Sequence, residues 1–286
     1  MIIRENIVDV EEYRLEEILN NKEVDCKPEE SIYFDLEHYV YKKPKCIGVF
    51  GACVYNKKNK KINVTQYMIE NKSEVVDILL LAKKYFIKMK REGKKVIVTF
   101  AGNNDFTVIK YLFNKYGIYF DFEKEFKSID IQKEYEKDMK ISIGLKNLEK
   151  IFEVYRQGDV ISGSNLAKTF HKVLKDKEYI QRMPKEKIET ILQYNEQDVV
   201  NLYKIFINWK NYIKTEEDTK ENDDFDEIKE IKTEQIINDI KEIDNEKNVE
   251  DVKKEQENNA NDNIIIIEDN GQQEENKEID NSETII

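Results

Sequence analysis

Ile32-Tyr33-Phe34-Asp35-Leu36-Glu37-His38 decides how this chain is read. Three apolar residues run into two carboxylates one residue apart. Taken as a strand, the apolar run is core, and Asp35 and Glu37 project from the same face. Like charges side by side repel, and burying them costs several kcal/mol unless something positive lies between them. A divalent cation is one such partner. A strand that ends at Phe34, with both carboxylates solvated in a turn, is the alternative, and this stretch alone leaves both open. Further carboxylates downstream must decide.

The chain has 286 residues, enough for one sizeable core and room for a second small domain. It has no apolar run long enough to span a membrane, and residues 1–20 are too charged for a signal peptide. Cys26, Cys46 and Cys53 lack metal-ligand spacing, and their odd number argues against a disulfide framework, so a reducing cytoplasm is expected. Charge is unevenly spread. Residues 215–286 carry 8 Lys against 26 Asp plus Glu, net −18, whereas residues 1–214 carry net +6. A mildly basic body is compatible with a polyanionic partner, and equally with lysine-rich solubility.

The hydrophobic pattern predicts strands over 31–40, 47–55 and 62–69, the second and third joined by a lysine-rich turn. A helix over 76–89 closes at Gly93, and the short apolar run 95–100 reads as a buried central strand. A helix over 105–116, a short strand over 126–131, and helices over 145–154, 165–174 and 184–213 complete the body. Residues 1–30 are polar with a weakly amphipathic run from Val8 to Leu19, which predicts a short helical extension packed outside the body. The fold class is α/β. Three antiparallel strands followed by parallel strands with helical crossovers give the order expected of a ribonuclease-H-like mixed sheet flanked by helices. Residues 215–286 lack a sustained apolar face and read as a disordered acidic tail. Within it, Ile264–Ile267 followed by two acidic residues is either a short recognition strand or an accident of composition.

Asp105 follows the buried strand, after Gly102-Asn103-Asn104, and would lie beside the end of strand one if the two strands are neighbours. An N-cap aspartate is the simpler reading. Asp198 lies in the final helix, four residues after Tyr194 and therefore on the same face, next to the apolar stripe of Ile188, Ile191, Leu192, Val199, Leu202 and Ile205. A solvated surface charge is the alternative there.

Taken in order, Asp35-x-Glu37, Asp105 and Tyr194-x-x-x-Asp198 resemble the DEDD superfamily of 3′–5′ exonucleases, in the subgroup with tyrosine where others carry histidine; position 193, where a histidine would stand, is Gln193. Leu145-Lys146-Asn147-Leu148-Glu149, Phe152, Arg156, Ser162 and Gly163 are similar to a run in the YprB-like ribonuclease-H-like family. The likeness covers about residues 31–210. One departure stands out: the family pattern Phe-Asn-Gly-x-x-Phe-Asp is here Phe100-Ala101-Gly102-Asn103-Asn104-Asp105-Phe106. The aspartate comes one residue early and Ala101 replaces the asparagine. A turn one residue shorter, with Asn103 and Asn104 assuming the lost role, would keep Asp105 in the site.

The resemblance implies an exonuclease domain over 31–214 that hydrolyses DNA or RNA, with single strands or 3′ ends as partners and two Mg²⁺ or Mn²⁺ ions as cofactors. Asp35, Glu37 and Asp198 would hold one ion, Asp35 would bridge to a second about 3.5–4 Å away, and Asp105 would act at the second. Tyr194 would orient the attacking water, its phenol being too weak a base to take the proton at neutral pH. Asp130 matches a family aspartate on the fifth strand, where a supporting role is expected. Lys42, Lys43 and Lys45, or Lys57, Lys58, Lys60 and Lys61, would contact phosphates, with solvated surface lysines as the alternative, above all for the hairpin group. His38 and His171 receive no role. The acidic tail would dock a protein partner or compete with nucleic acid for the basic body. A catalytically silent binding module on the same fold is the other reading, and the altered second motif favours it.

Overall fold

The computed structural model describes residues 1–158 and 161–214. In chain order the strands are β1 (Ile2–Asp9), β2 (Ser31–Tyr41), β3 (Lys43–Asn56), β4 (Lys61–Met68), β5 (Val96–Thr99) and β6 (Lys127–Asp130). The helices are α1 (Val75–Arg91), α2 (Asn103–Lys115), α3 (Phe122–Glu125), α4 (Ile131–Met139), α5 (Leu145–Ile151), α6 (Gly163–Lys175), α7 (Lys185–Ile207) and α8 (Trp209–Tyr212). The strands form one mixed sheet in the order β1-β4-β3-β2-β5-β6. Pairs β1–β4, β4–β3 and β3–β2 are antiparallel, and β2–β5 and β5–β6 are parallel.

The expected strands and their order are therefore present, with one correction. The helix expected between Val8 and Leu19 does not form. Ile2–Asp9 is instead a sixth strand, in register with β4 from Ile2 opposite Met68 to Asp9 opposite Lys61. The physical reason is the free edge that a three-strand meander would leave on β4, whose N–H and C=O groups need partners. Isoleucines 2, 3 and 7 and Val8 suit a strand, and an edge strand tolerates Ile3 and Ile7 facing outward. Of the supposed apolar stripe, only Ile18 and Leu19 reach the core, and the Leu19 N–H donates to the carbonyl of Phe206 in α7 at 2.8 Å. The final helix also breaks at Asn208, into α7 and α8.

The first half of β2 is central: Ser31 to Phe34 are wholly buried. Alternation sends Phe34 to one face, against Phe86 of α1 at 5.4 Å between ring centres, and Tyr33 to the other, edge-on to Tyr203 and Phe206 of α7 at 5.5 and 5.8 Å. Helices thus cover both faces. β5 runs parallel to β2 with Val98 opposite Tyr33, so the chain leaves β5 level with Asp35. The carboxyl ends of parallel strands are where an open α/β sheet presents ligand-binding groups.

Among the described residues no helix is long and apolar enough to cross a membrane. The three cysteines are buried and unpaired. The acidic stretch 215–286, including Ile264–Ile267, lies outside the described residues.

Candidate metal centre

Asp35 and Glu37 stand on β2 opposite Gly51 and Val49 of β3, just before register shifts at Glu37/His38 and Tyr39/Val40. Such bulges re-aim side chains beside functional sites. Asp198 comes from the buried side of α7 and is 4 % exposed. One ligand atom from each of Asp35, Glu37 and Asp198 lies within 4.8 Å of the others. The solvated alternatives for these three are thereby set aside.

Asp105 is not part of that tight group, although it is close. It sits in the first turn of α2, is 6 % exposed, and its Oδ1 lies 4.0 Å from His38 Nδ1. The β5–α2 turn that places it is strained. Ala101 has φ +51°, a left-handed region that costs a residue with a Cβ roughly 1 kcal/mol and that asparagine enters more readily. The asparagine of the family pattern suits that position better than alanine. Asp130 compensates: its carboxylate accepts the N–H groups of Ala101 (3.0 Å), Gly102 (3.1 Å) and Gln132 (3.1 Å), pinning the turn to the end of β6. Asn103 and Asn104 do not replace the lost side chain in the way expected. Both are exposed, and the Asn103 amide oxygen accepts from Lys133 at 3.2 Å.

The electrostatics follow from burial and crowding. Burial and the charges of Asp35, Asp198 and Asp105 push Glu37 well above the ordinary glutamate range. Asp198 and Asp105 are raised for the same reasons, burial first and Asp35 next. Asp35 rises to about 6, mainly through burial, with the Asn195 hydrogen bond and Arg156 opposing. Hard oxygen donors that cannot comfortably ionise together are what Mg²⁺ or Mn²⁺ accepts, so the residues fit such an ion.

Tyr194 is half-buried beside the cluster, and its ring packs against two cations: Arg156 Cζ lies 5.0 Å and Lys146 Nζ 5.3 Å from its centre. Burial, together with Asp198 and Glu37, raises its phenol further above its usual value, so it remains protonated.

Several supporting residues carried no assigned role in the sequence reading. The Asn195 amide donates to Asp35 Oδ2 at 3.0 Å, and its oxygen accepts from buried Gln66 of β4 at 2.8 Å; Gln66 also donates to the carbonyl of Leu192. Asp35 is thereby tied to α7. The Arg156 guanidinium pairs with both oxygens of Glu149, at 2.6 Å each, and also with Asp198 Oδ1. Glu149, 2 % exposed, accepts in addition from Asn201 of α7 at 2.8 Å. Glu149 and Arg156 belonged to the family-like run, which was the available signal. Asn195 and Gln66 had none, being ordinary amides until the sheet and α7 meet.

Gly51 is where that meeting is tightest. A Cβ there would stand 2.0 Å from Asn195 Oδ1, whose amide is held on both sides. Gly51→Ala is expected to cost about 1–3 kcal/mol, as overpacking does, and to loosen Asp35. Urea denaturation measures the first effect, and Mn²⁺ titration the second as weakened binding.

No curated protein matches the chain. Residues 32–210, well over half of it, match the family model described as the RNase_H superfamily, over the same span that supplies Asp35, Glu37, Asp105 and Asp198. With a six-stranded mixed sheet and an acidic cluster where α7 meets the middle of its central strand, the chain belongs to the RNase H superfamily.

Proposed function

We propose that this domain is a metal-dependent 3′–5′ exonuclease hydrolysing phosphodiester bonds of DNA or RNA. The observation that carries the reading is the meeting of Asp35, Glu37 and Asp198 within 4.8 Å. The 3′–5′ polarity rests on the motif order ending in Tyr194-x-x-x-Asp198 and on the likeness to the YprB-like family. Asp35, Glu37 and Asp198 would hold one Mg²⁺ or Mn²⁺, with Asp35 and Asp105 serving a second. Bound there, a divalent cation acidifies a coordinated water and offsets charge on the phosphoryl oxygens. Tyr194, kept protonated, orients the attacking water by hydrogen bonding and does not remove its proton.

Of the two lysine groups, the one following β2 is better placed for substrate. Lys57, Lys60 and Lys61 of the β3–β4 turn pair with Glu29, Glu12 and Asp9. Lys42 and Lys45 instead flank the exposed ring of Tyr41, at 5.8 and 5.9 Å; Tyr41 is the last residue of the strand that carries Asp35 and Glu37. Cations around an exposed aromatic suit single-stranded nucleic acid, where bases stack and phosphates need counter-charge.

A silent binding module on this fold is favoured by Ala101 and by Arg156 occupying one oxygen of Asp198. The discriminating experiment uses a 5′-labelled single strand and a circular one, each with Mg²⁺, Mn²⁺ or chelator. The exonuclease reading expects stepwise shortening of the linear strand from its 3′ end with metal and an intact circle. No shortening in either metal supports the silent module, and a cut circle supports an endonuclease.

A further inference from the structure

Arg156 is held from several sides. Its Nε and Nη2 form the paired bonds to Glu149, Nη2 also reaches Asp198, and the guanidinium packs on Tyr194. The adjoining backbone is strapped to α7, because the Gln157 N–H donates to Gln197 Oε1 at 2.6 Å and Gln197 Nε2 donates to the Gln157 carbonyl at 2.9 Å. The side chain is 9 % exposed. Its Nη1 is buried without a hydrogen-bond partner. Burial alone would lower the guanidinium's pKa, but Glu149 and Asp198 outweigh it and raise it, so the group is charged throughout the working pH range.

A fixed positive charge thus touches one of three crowded carboxylates. Glu149 offsets part of that charge, and Lys146, which packs on the same Tyr194 ring, adds to it. We propose that Arg156 is a positioning residue that serves the carboxylate cluster as a built-in counter-cation, keeping the metal-free site assembled while weakening its affinity for a divalent ion. It holds Asp198 by Oδ1 and leaves Oδ2 for a ligand. The arrangement raises the cation concentration at which the site fills, and so regulates the centre on which the exonuclease reading rests.

The test is Mn²⁺ titration by calorimetry with the full chain, beside thermal melts in chelator. Arg156→Gln removes a unit charge a few ångströms from the cluster and is expected to bind Mn²⁺ at least about tenfold more tightly, while melting lower in chelator. Arg156→Lys retains the charge and is expected to stay within about threefold of the wild type. If Arg156→Gln leaves Glu149 too exposed to its own charge to fold, Glu149→Gln/Arg156→Gln removes the buried pair together, and tighter Mn²⁺ binding is again expected. Folded Arg156→Gln or Glu149→Gln/Arg156→Gln protein that binds Mn²⁺ no more tightly than the wild type would overturn the inference, as would equal tightening in Arg156→Lys. Wild-type protein that binds no Mn²⁺ would overturn the metal centre itself, a separate failure.

Discussion

Asp35→Asn and Asp198→Asn, each made alone, are expected to lower phosphodiester hydrolysis by about three orders of magnitude or more while leaving the protein folded. The size follows from what a coordinated cation contributes, several kcal/mol of charge stabilisation in the transition state, at tenfold in rate per roughly 1.4 kcal/mol. The fold survives because each change preserves shape and hydrogen bonding. The amide introduced by Asp35→Asn still presents an oxygen to the Asn195 amide, and the one introduced by Asp198→Asn still presents an oxygen to Arg156. Each change also removes one negative charge from a crowded, metal-free cluster, so thermal melting in chelator should be no lower than wild type for Asp35→Asn. Single-turnover nucleotide release with Mn²⁺ measures the rate. Wild-type rates in either variant would remove Asp35 or Asp198 from the catalytic machinery.

Metal-free protein is expected to gain stability on acidification from about pH 7.5 to about pH 5, by a few kcal/mol, and added Mn²⁺ should abolish the gain. The sign follows from protons bound. Asp35 has an ordinary pKa near 3.8 when the chain is unfolded and about 6 when folded. Below the lower value both states are protonated and the group contributes nothing. Between the two, the folded state keeps a proton that the unfolded state has lost. Above about 6 the folded state bears the full penalty of a buried, crowded charge. Stability therefore falls as pH rises through this window, by about 3 kcal/mol from Asp35. Glu37, Asp105 and Asp198 are raised further and extend the loss upward in pH. Glu123, lowered by its Lys110 partner, and Glu29, lowered by Lys57 and Tyr13 against the effect of burial, act oppositely, their stabilising charges being lost as pH falls. Subtracting urea melts in Mn²⁺ from those in chelator isolates the cluster. A difference that does not change with pH would refute the assignment.

The identity of the strands after residue 30 was legible because local pattern suffices for it. The β2 run of buried residues, the two-residue spacing of Asp35 and Glu37, and the helical repeat placing Tyr194 and Asp198 on one face are consequences of backbone geometry. Residues 2–9 were not legible. An edge strand buries one face incompletely, and nothing in that segment announces that β4 needs a partner. The reach of Asp105 was legible only as a condition, since it depended on β5 lying beside β2 and on Asp130 holding a strained Ala101.

By itself, then, the sequence determined which residues form the central strand, which carboxylates could serve a cation, and on which elements they ride. Only the tertiary structure decided that Asp35, Glu37 and Asp198 converge while Asp105 stands slightly apart, and that Asn195, Gln66, Glu149 and Arg156 surround them. The physical reason is range. Strand and helix periodicity act over a few residues, whereas the field at Asp198 is set by an arginine 42 positions away and the orientation of Asp35 by an asparagine 160 positions away, brought there by packing α7 against the sheet.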